Sequence, residues 1–172
     1  MSQRLVAVSD SHGAVSALRN AATLAMDRGP IDAFVFLGDG MGDAQAVRPM
    51  LLARNPRMEY IAVRGNNDPI QSAPQEAFFS VNGLGIMATH GHLYRVKWGL
   101  TKLHYAARER GAAIALYGHT HRSHLEEAHG VLLVNPGAVC EGFTGRPVLA
   151  DIVVQDDGSF QVKLVSEDGT EW

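Results

Sequence analysis

The chain predicts an α/β fold, and three observations predict it. In the first half, apolar runs too short for helices alternate with helical stretches: Leu5 to Val8, then Gly13 to Met26, then Ala33 to Leu37. In the second half, antiparallel pairs take over, centred on Asn82-Gly83, His129-Gly130 and Asp156-Asp157-Gly158. Finally, each buried run delivers polar, mostly metal-binding, side chains at its C-terminal end, where open α/β sheets place their chemistry.

Taken in order, Leu5-Val6-Ala7-Val8 runs into Ser9-Asp10-Ser11-His12. In an extended segment residues i and i+2 point the same way, so Asp10 and His12 are expected to chelate as a strand-borne pair. Val15, Leu18, Ala21, Ala22 and Ala25 recur at helical spacing, and Arg28-Gly29-Pro30 ends that helix. The second strand carries Asp39, and Ala44 to Ala53 reads as a weaker helix containing Pro49. Tyr60 to Val63 leads into Arg64-Gly65-Asn66-Asn67-Asp68. Phe78 to Val81 and Leu84 to Ala88 form a hairpin and end at Thr89-His90-Gly91-His92. Leu100 to Arg110 reads as an amphipathic helix closed by Gly111. Ala113 to Tyr117 leads into Gly118-His119-Thr120-His121, and Val131 to Val134 into Asn135-Pro136-Gly137. The last hairpin pairs Val148–Val154 with Phe160–Val165.

With 172 residues, 46% of them hydrophobic, the chain is expected to form one domain over 1–172. A net charge of −3 gives no basic footprint for tight, sequence-independent nucleic-acid binding. No run approaches the roughly 20 apolar residues of a membrane span. The N-terminus lacks the pattern of a signal peptide, so a soluble, cytoplasmic protein is expected. The one cysteine, Cys140, has no partner for an internal disulfide and reads as a small buried hydrophobe.

The strand ends together supply Asp10, His12, Asp39, Asn66, His90, His119 and His121. Seven nitrogen and oxygen donors exceed what one ion uses without crowding, and they suit two. Imidazole, carboxylate and amide donors without thiolate point to Mn, Fe, Ni or Zn rather than to Mg or Ca. Two ions about 3.5–4 Å apart need a bridging ligand, which a carboxylate can be.

The blocks Asp10-x-His12, Gly38-Asp39, Gly65-Asn66-x-Asp68, His90-Gly91 and Gly118-His119-x-His121, in that order, resemble the signature of the calcineurin-like metallophosphoesterases. Thr89-His90-Gly91-His92 and Asn135-Pro136-Gly137 resemble the small prokaryotic phosphodiesterase branch, to which the retromer subunit fold is related. The resemblance implies a four-layer α/β/β/α sandwich of two mixed β-sheets, the metallo-dependent phosphatase fold. It implies that Asp10, His12 and His121 hold a first metal, that Asn66, His90 and His119 hold a second, and that Asp39 bridges. Mn is the expected activating ion. The implied reaction is hydrolysis of a small phosphate ester, foremost a diester, with a metal-bridging hydroxide as nucleophile. Phosphomonoesters or nucleotides on the same site are the alternative, as is a protein-binding scaffold that has lost the chemistry.

Many relatives carry His or Cys where this chain has Asn67, which cannot act as a general acid. Protonation is therefore expected from His92 or water, with Asp68 orienting its neighbour. Ala138 stands where Ser is more usual. Asp10 or Ser11 as a helix cap, and Asn66-Asn67 as turn residues, are the plainer explanations of single blocks. Asp43 reads as a cap or an exposed carboxylate. His104, His124 and His129 read as helix-face or hairpin residues, and Tyr94 and Trp98 as core or interface. Arg64, Arg95 and Lys97 read as solvated surface charge, with steering of an anion as the alternative, and the exposed hairpin edges are compatible with a homo-oligomer.

Overall fold

In chain order the elements are β1 (Gln3–Val8), α1 (Val15–Asp27), β2 (Ala33–Phe36), α2 (Met41–Arg54), β3 (Glu59–Ala62), β4 (Glu76–Val81) and β5 (Leu84–Thr89). There follow a 3-10 turn at His92–Tyr94, α3 (Thr101–Glu109), β6 (Ile114–Leu116), β7 (Ser123–Ala128), β8 (Val131–Pro136), β9 (Val148–Val154) and β10 (Phe160–Ser166). The structure is a computed structural model that describes residues 1–140 and 148–172.

Two five-stranded sheets result, ordered β10-β9-β1-β2-β3 and β4-β5-β6-β8-β7. Both are mixed. β1, β2 and β3 run parallel, while β9 is antiparallel to β1 and to β10. β5, β6 and β8 run parallel, with β4 and β7 antiparallel at the edges.

The layering follows from strands buried on both faces. Along β1, Leu5 and Ala7 join Val35, Ile86, Leu116 and Val134 in a core between the sheets. Val6 and Val8 point the other way, against Leu18 of α1 and Val47 and Leu51 of α2. On the second sheet Met87, Ala115 and Tyr117 turn outward to meet Leu103 and Ala107 of α3. The order is therefore helices, sheet, sheet, helix: the expected α/β/β/α sandwich. Truncating a fully buried inter-sheet residue such as Leu116 to alanine should cost about 2–5 kcal/mol.

One helix departs from the sequence pattern: α2 begins three residues before the expected Ala44, and it runs through Pro49 as expected. Pro49 lies on the exposed face, where water can hydrate the carbonyl that loses its hydrogen bond. Trp98 is 87% exposed rather than in a core, and Cys140 is half-buried rather than buried.

The first hairpin turns through Asn82 and Gly83 with φ of 47° and 79°, as a tight two-residue turn requires. At the opposite end of β1 from Asp10, Arg4 grips Asp151 of β9 through Nε and Nη2 at 2.8 and 2.9 Å. Its Nη1 donates to the carbonyls of Ala25 and Gly29, so one cation also closes the C-terminus of α1. Among the described residues no helix is long and apolar enough to cross a membrane.

Candidate metal centre

The C-terminal ends of the parallel strands in the two sheets are tied to each other. His90, after β5, donates from Nδ1 to the Leu37 carbonyl after β2 at 2.7 Å. That bond fixes the tautomer and leaves Nε2 with its lone pair toward the centre. The His119 amide, after β6, donates to Asp10 Oδ2 at 3.0 Å, and the Cys140 amide, after β8, to the Asp10 carbonyl at 3.2 Å.

One expectation needs correcting. Asp10 and His12 are not an extended pair: β1 stops at Val8, and both residues have left-handed backbone, with φ of 56° and 46°. The chain must leave the sheet to start α1, and a turn brings the two side chains together where strand alternation would have carried them, like Val6 and Val8, onto the face covered by the helices. Asp39, His119 and His121 are left-handed as well, with φ of 59°, 68° and 58°. Strained backbone of this kind gathers at functional sites and persists only where neighbours enforce it. Here the Asp10 and His12 amides donate to the carbonyls of Gly38 and Asp39 at 3.0 and 2.9 Å.

The side chains fall into two groups of three, Asp10–His12–His121 and Asp39–His90–His119, each with donor atoms within 4.8 Å of one another. Within the groups, His12 Nε2 and His121 Nε2 lie 3.1 Å apart, as do His90 Nε2 and His119 Nδ1. Asp39 Oδ2 stands between the groups, 3.6 Å from His12 Nε2 and 3.4 Å from His90 Nε2. Asp10 Oδ1 is fully buried, and although His121 Nε2 is 3.2 Å away the two are not aligned for a hydrogen bond. An unsatisfied buried carboxylate oxygen facing convergent imidazole nitrogens is the donor set a divalent cation satisfies.

The electrostatics fit that use. Burial opposes the charge on Asp39, but the adjacent His90 imidazole and the hydrogen bonds from Asn67 hold it far below the ordinary carboxylate range. Asp10 is held down despite its burial by the neighbouring His121 and His90 imidazoles and by the hydrogen bond from Ser9. Burial opposes a charge on His90 as well, yet Asp39 and Asp10 raise its pKa. For His119, burial and then the charges of His90 and Lys97 push the pKa down to about 4.

Asn66 and Asn67 are exposed in the turn after β3. Asn67 donates to both oxygens of Asp39, from its amide at 2.9 Å and from Nδ2 at 2.7 Å. Asp68, expected to orient its neighbour, accepts four backbone amides. Oδ2 takes Asp39 and Gly65 at 2.7 and 2.8 Å, and Oδ1 takes Gly40 and Met41 at 2.9 Å. It thereby caps α2 and locks the loop that carries Asp39. The His92 ring lies 5.5 Å from that of His90 and 6.2 Å from that of His119. Its buried Nδ1 has no hydrogen-bond partner among the described residues, and burial followed by the charge of His90 lowers its pKa.

Three supporting residues were not assigned from the sequence. Ser9 donates to Asp10 Oδ2 at 2.5 Å. Asp43 caps nothing but accepts from Ser11 Oγ at 2.6 Å and the Gly13 amide at 2.8 Å, holding the His12 turn to α2. Asn135 is fully buried and donates to the Gly118 carbonyl and Thr120 Oγ1 at 3.1 and 3.0 Å, fixing the turn that presents His119 and His121. Only Asn135 had a signal, as part of Asn-Pro-Gly. Nor does Asp10 cap α1, whose N-cap is Ala14 without a side-chain bond. His104 packs in the α3 core, its ring 5.2 Å from that of His129, and His124 pairs with Glu126 on β7.

Residues 4–157 match the model of the calcineurin-like phosphoesterase superfamily domain. The probable metallophosphoesterase YsnB of Bacillus subtilis is 28% identical, over 95% of this chain and 91% of its own. The phosphodiesterase MJ0936 of Methanocaldococcus jannaschii is 30% identical, over 55% of this chain and 62% of its own. Among solved structures, a predicted phosphoesterase of Streptococcus pneumoniae superposes with a TM-score of 0.77 at 28% identity, covering 100% of this chain and 94% of that one. Vps29 of Chaetomium thermophilum shares the fold with a TM-score of 0.77 at 21% identity, over 98% and 93%.

Proposed function

The chain belongs to the calcineurin-like phosphoesterase superfamily, and from that premise we propose that it is a cytoplasmic phosphodiesterase working with two divalent transition-metal ions, Mn foremost. The observation that carries the reading is the pair of facing three-residue groups with Asp39 Oδ2 between them and the orphaned Asp10 Oδ1 beside them. In this reading Asp10, His12 and His121 hold one ion, Asn66, His90 and His119 the other, and Asp39 is shared. When bound, such ions make hydroxide available near neutral pH and neutralise phosphoryl oxygens.

The chain's own residues do the rest. Ser9, Asp43, Asp68 and Asn135 hold the ligand turns, so the donors are in place before substrate arrives. Hydrolysis joins the oxygen of water to phosphorus and breaks one P–O ester bond, and the departing alkoxide needs a proton. Asn67 has none to give, and its Nδ2 is engaged by Asp39. We assign that proton to His92, beside the His90–His119 group, in the protonated form that its lowered pKa makes scarce at neutral pH, with solvent as the other source.

The name of the archaeal relative supports a diester over a monoester. The second reading is a scaffold, for which the Vps29 likeness supplies the shared fold alone. Against that reading, a binding module has no physical need of a buried, unsatisfied carboxylate oxygen at Asp10. The test is hydrolysis of bis-p-nitrophenyl phosphate and of p-nitrophenyl phosphate with added Mn. Turnover of the diester in preference is expected. Preference for the monoester would replace the diesterase reading, and inactivity on both in protein that binds no metal would leave the scaffold.

A further inference from the structure

We propose that the cavity between residues 96–100 and 117–124 receives the alcohol half of the substrate, and that it selects an alcohol with an apolar body and an anionic group of its own. This rests on the phosphodiesterase reading and deepens it.

The cavity has a volume of about 610 Å3, well beyond the needs of a phosphoryl group and within the range of sites for organic ligands. Its position ties it to the metal centre. One wall is the turn that presents His119 and His121, with Thr120 between them reaching the cavity. Lys97, in the segment before α3, lines the same cavity. The turn that carries two donors of the metal centre is therefore also a wall of the cavity.

Its chemistry is two-sided. Val96, Leu100 and Tyr117 give it an apolar floor, and Val96 and Tyr117 are almost wholly buried. Lys97 and Arg122 are exposed on its two walls. Among the described residues no carboxylate pairs with either; Glu126, on the same strand as His124, contacts His124 Nε2 at 3.1 Å, and its charge still reaches Tyr117 on the floor. Two unpaired cations over an apolar floor attract an anion attached to an apolar body. A phosphate ester of a small neutral alcohol would use neither.

The test uses the Mn-loaded full chain and two symmetric diesters, bis(4-nitrophenyl) phosphate and bis(3-carboxy-4-nitrophenyl) phosphate, so that either ester bond releases the same chromophore. Each kcat/KM is divided by the rate of alkaline hydrolysis to remove leaving-group differences. Calorimetric binding of 5-hydroxy-2-nitrobenzoate is measured alongside. The expected result is a preference for the carboxylated diester on the order of tenfold or more, together with binding of the benzoate. Both should be lost in Lys97→Ala/Arg122→Ala, two exposed positions at which substitution leaves folding intact, as a melting curve checks. Lys97→Arg/Arg122→Lys, which keeps the charge, should retain them.

Turnover of both diesters without preference, and without benzoate binding, would overturn the proposal and leave the phosphodiesterase reading standing. Equal loss of both activities in the alanine double variant would overturn it too, because selectivity would not reside in those cations. Benzoate binding that depends on the two cations, with no turnover of either diester, would uphold the anion site and overturn the phosphodiesterase reading instead.

Discussion

Asn67 Nδ2 donates at 2.7 Å to Asp39 Oδ2, the same oxygen that stands between His12 and His90. This neutral amide therefore orients the carboxylate that lies between the two groups. Asn67→Ala should lower metal affinity or activity by about 10–100-fold. It should leave the shape of the pH–rate profile unchanged, since a neutral amide has no titration to lose. Metal titration and a pH–rate series on the variant check both parts, and a vanished limb of the profile would contradict the assignment.

Asp68 carries four amides from three places in the chain: Gly65, Asp39, and the N-terminal turn of α2 at Gly40 and Met41. Removing it strands those donors and uncaps the helix. Asp68→Ala should lose about 3 kcal/mol of stability by urea unfolding, and Asp68→Asn less, because the amide keeps one acceptor oxygen. Equal stability of Asp68→Ala and the parent chain would remove the clamp from the account.

Gly118 leaves no room for a side chain. A Cβ there would lie 2.0 Å from Ser9 Oγ and 2.6 Å from Asp10 Oδ2. Gly118→Ala should push Asp10 aside, weaken the Asp10–His12–His121 group selectively and cost about 1–3 kcal/mol in folding. Gly42→Ala, at a helical position with nothing within 4 Å, is the control and should be neutral or stabilising. Isothermal titration with Mn would distinguish loss of one site from loss of both.

The two histidines of the Asp39 group respond oppositely to pH. His90 has a raised pKa, so in the metal-free protein its protonated form stabilises the fold. That stabilisation is fully present below the unfolded value and disappears as pH rises through the folded one. A metal needs the neutral ring, so binding to this group must displace a proton, and affinity should fall about tenfold per pH unit below the raised value. His119, at about 4, adds a second proton only at much lower pH. Competition with a chromophoric chelator between pH 8 and 5 in a His12→Ala background reads this slope. Affinity independent of pH across that range would contradict it.

The candidate ligands were legible because the chemistry is written in residue types that follow short apolar runs: Asp10, Asp39, His90 and His119 each close one. The layering was not. Val6 and Leu5, or Met87 and Ile86, are equally apolar although they serve different cores, and a strand buried on both faces shows no alternation to read. Backbone conformation was also invisible. Asp10-x-His12 fits a strand as well as a turn, and only the contacts with Gly38 and Asp39, 28 and 27 residues on, select the turn. Asp43 failed to stand out for the same reason, since its partners Ser11 and Gly13 lie in another element.

The most direct measurement is a Mn titration of chelator-stripped protein followed by bis-p-nitrophenyl phosphate hydrolysis, beside a His119→Ala variant. Activity that appears only as a second equivalent binds, with the variant saturating at one equivalent and remaining inactive, is the predicted result. Full activity without metal, or at a single equivalent, would contradict a two-ion phosphodiesterase.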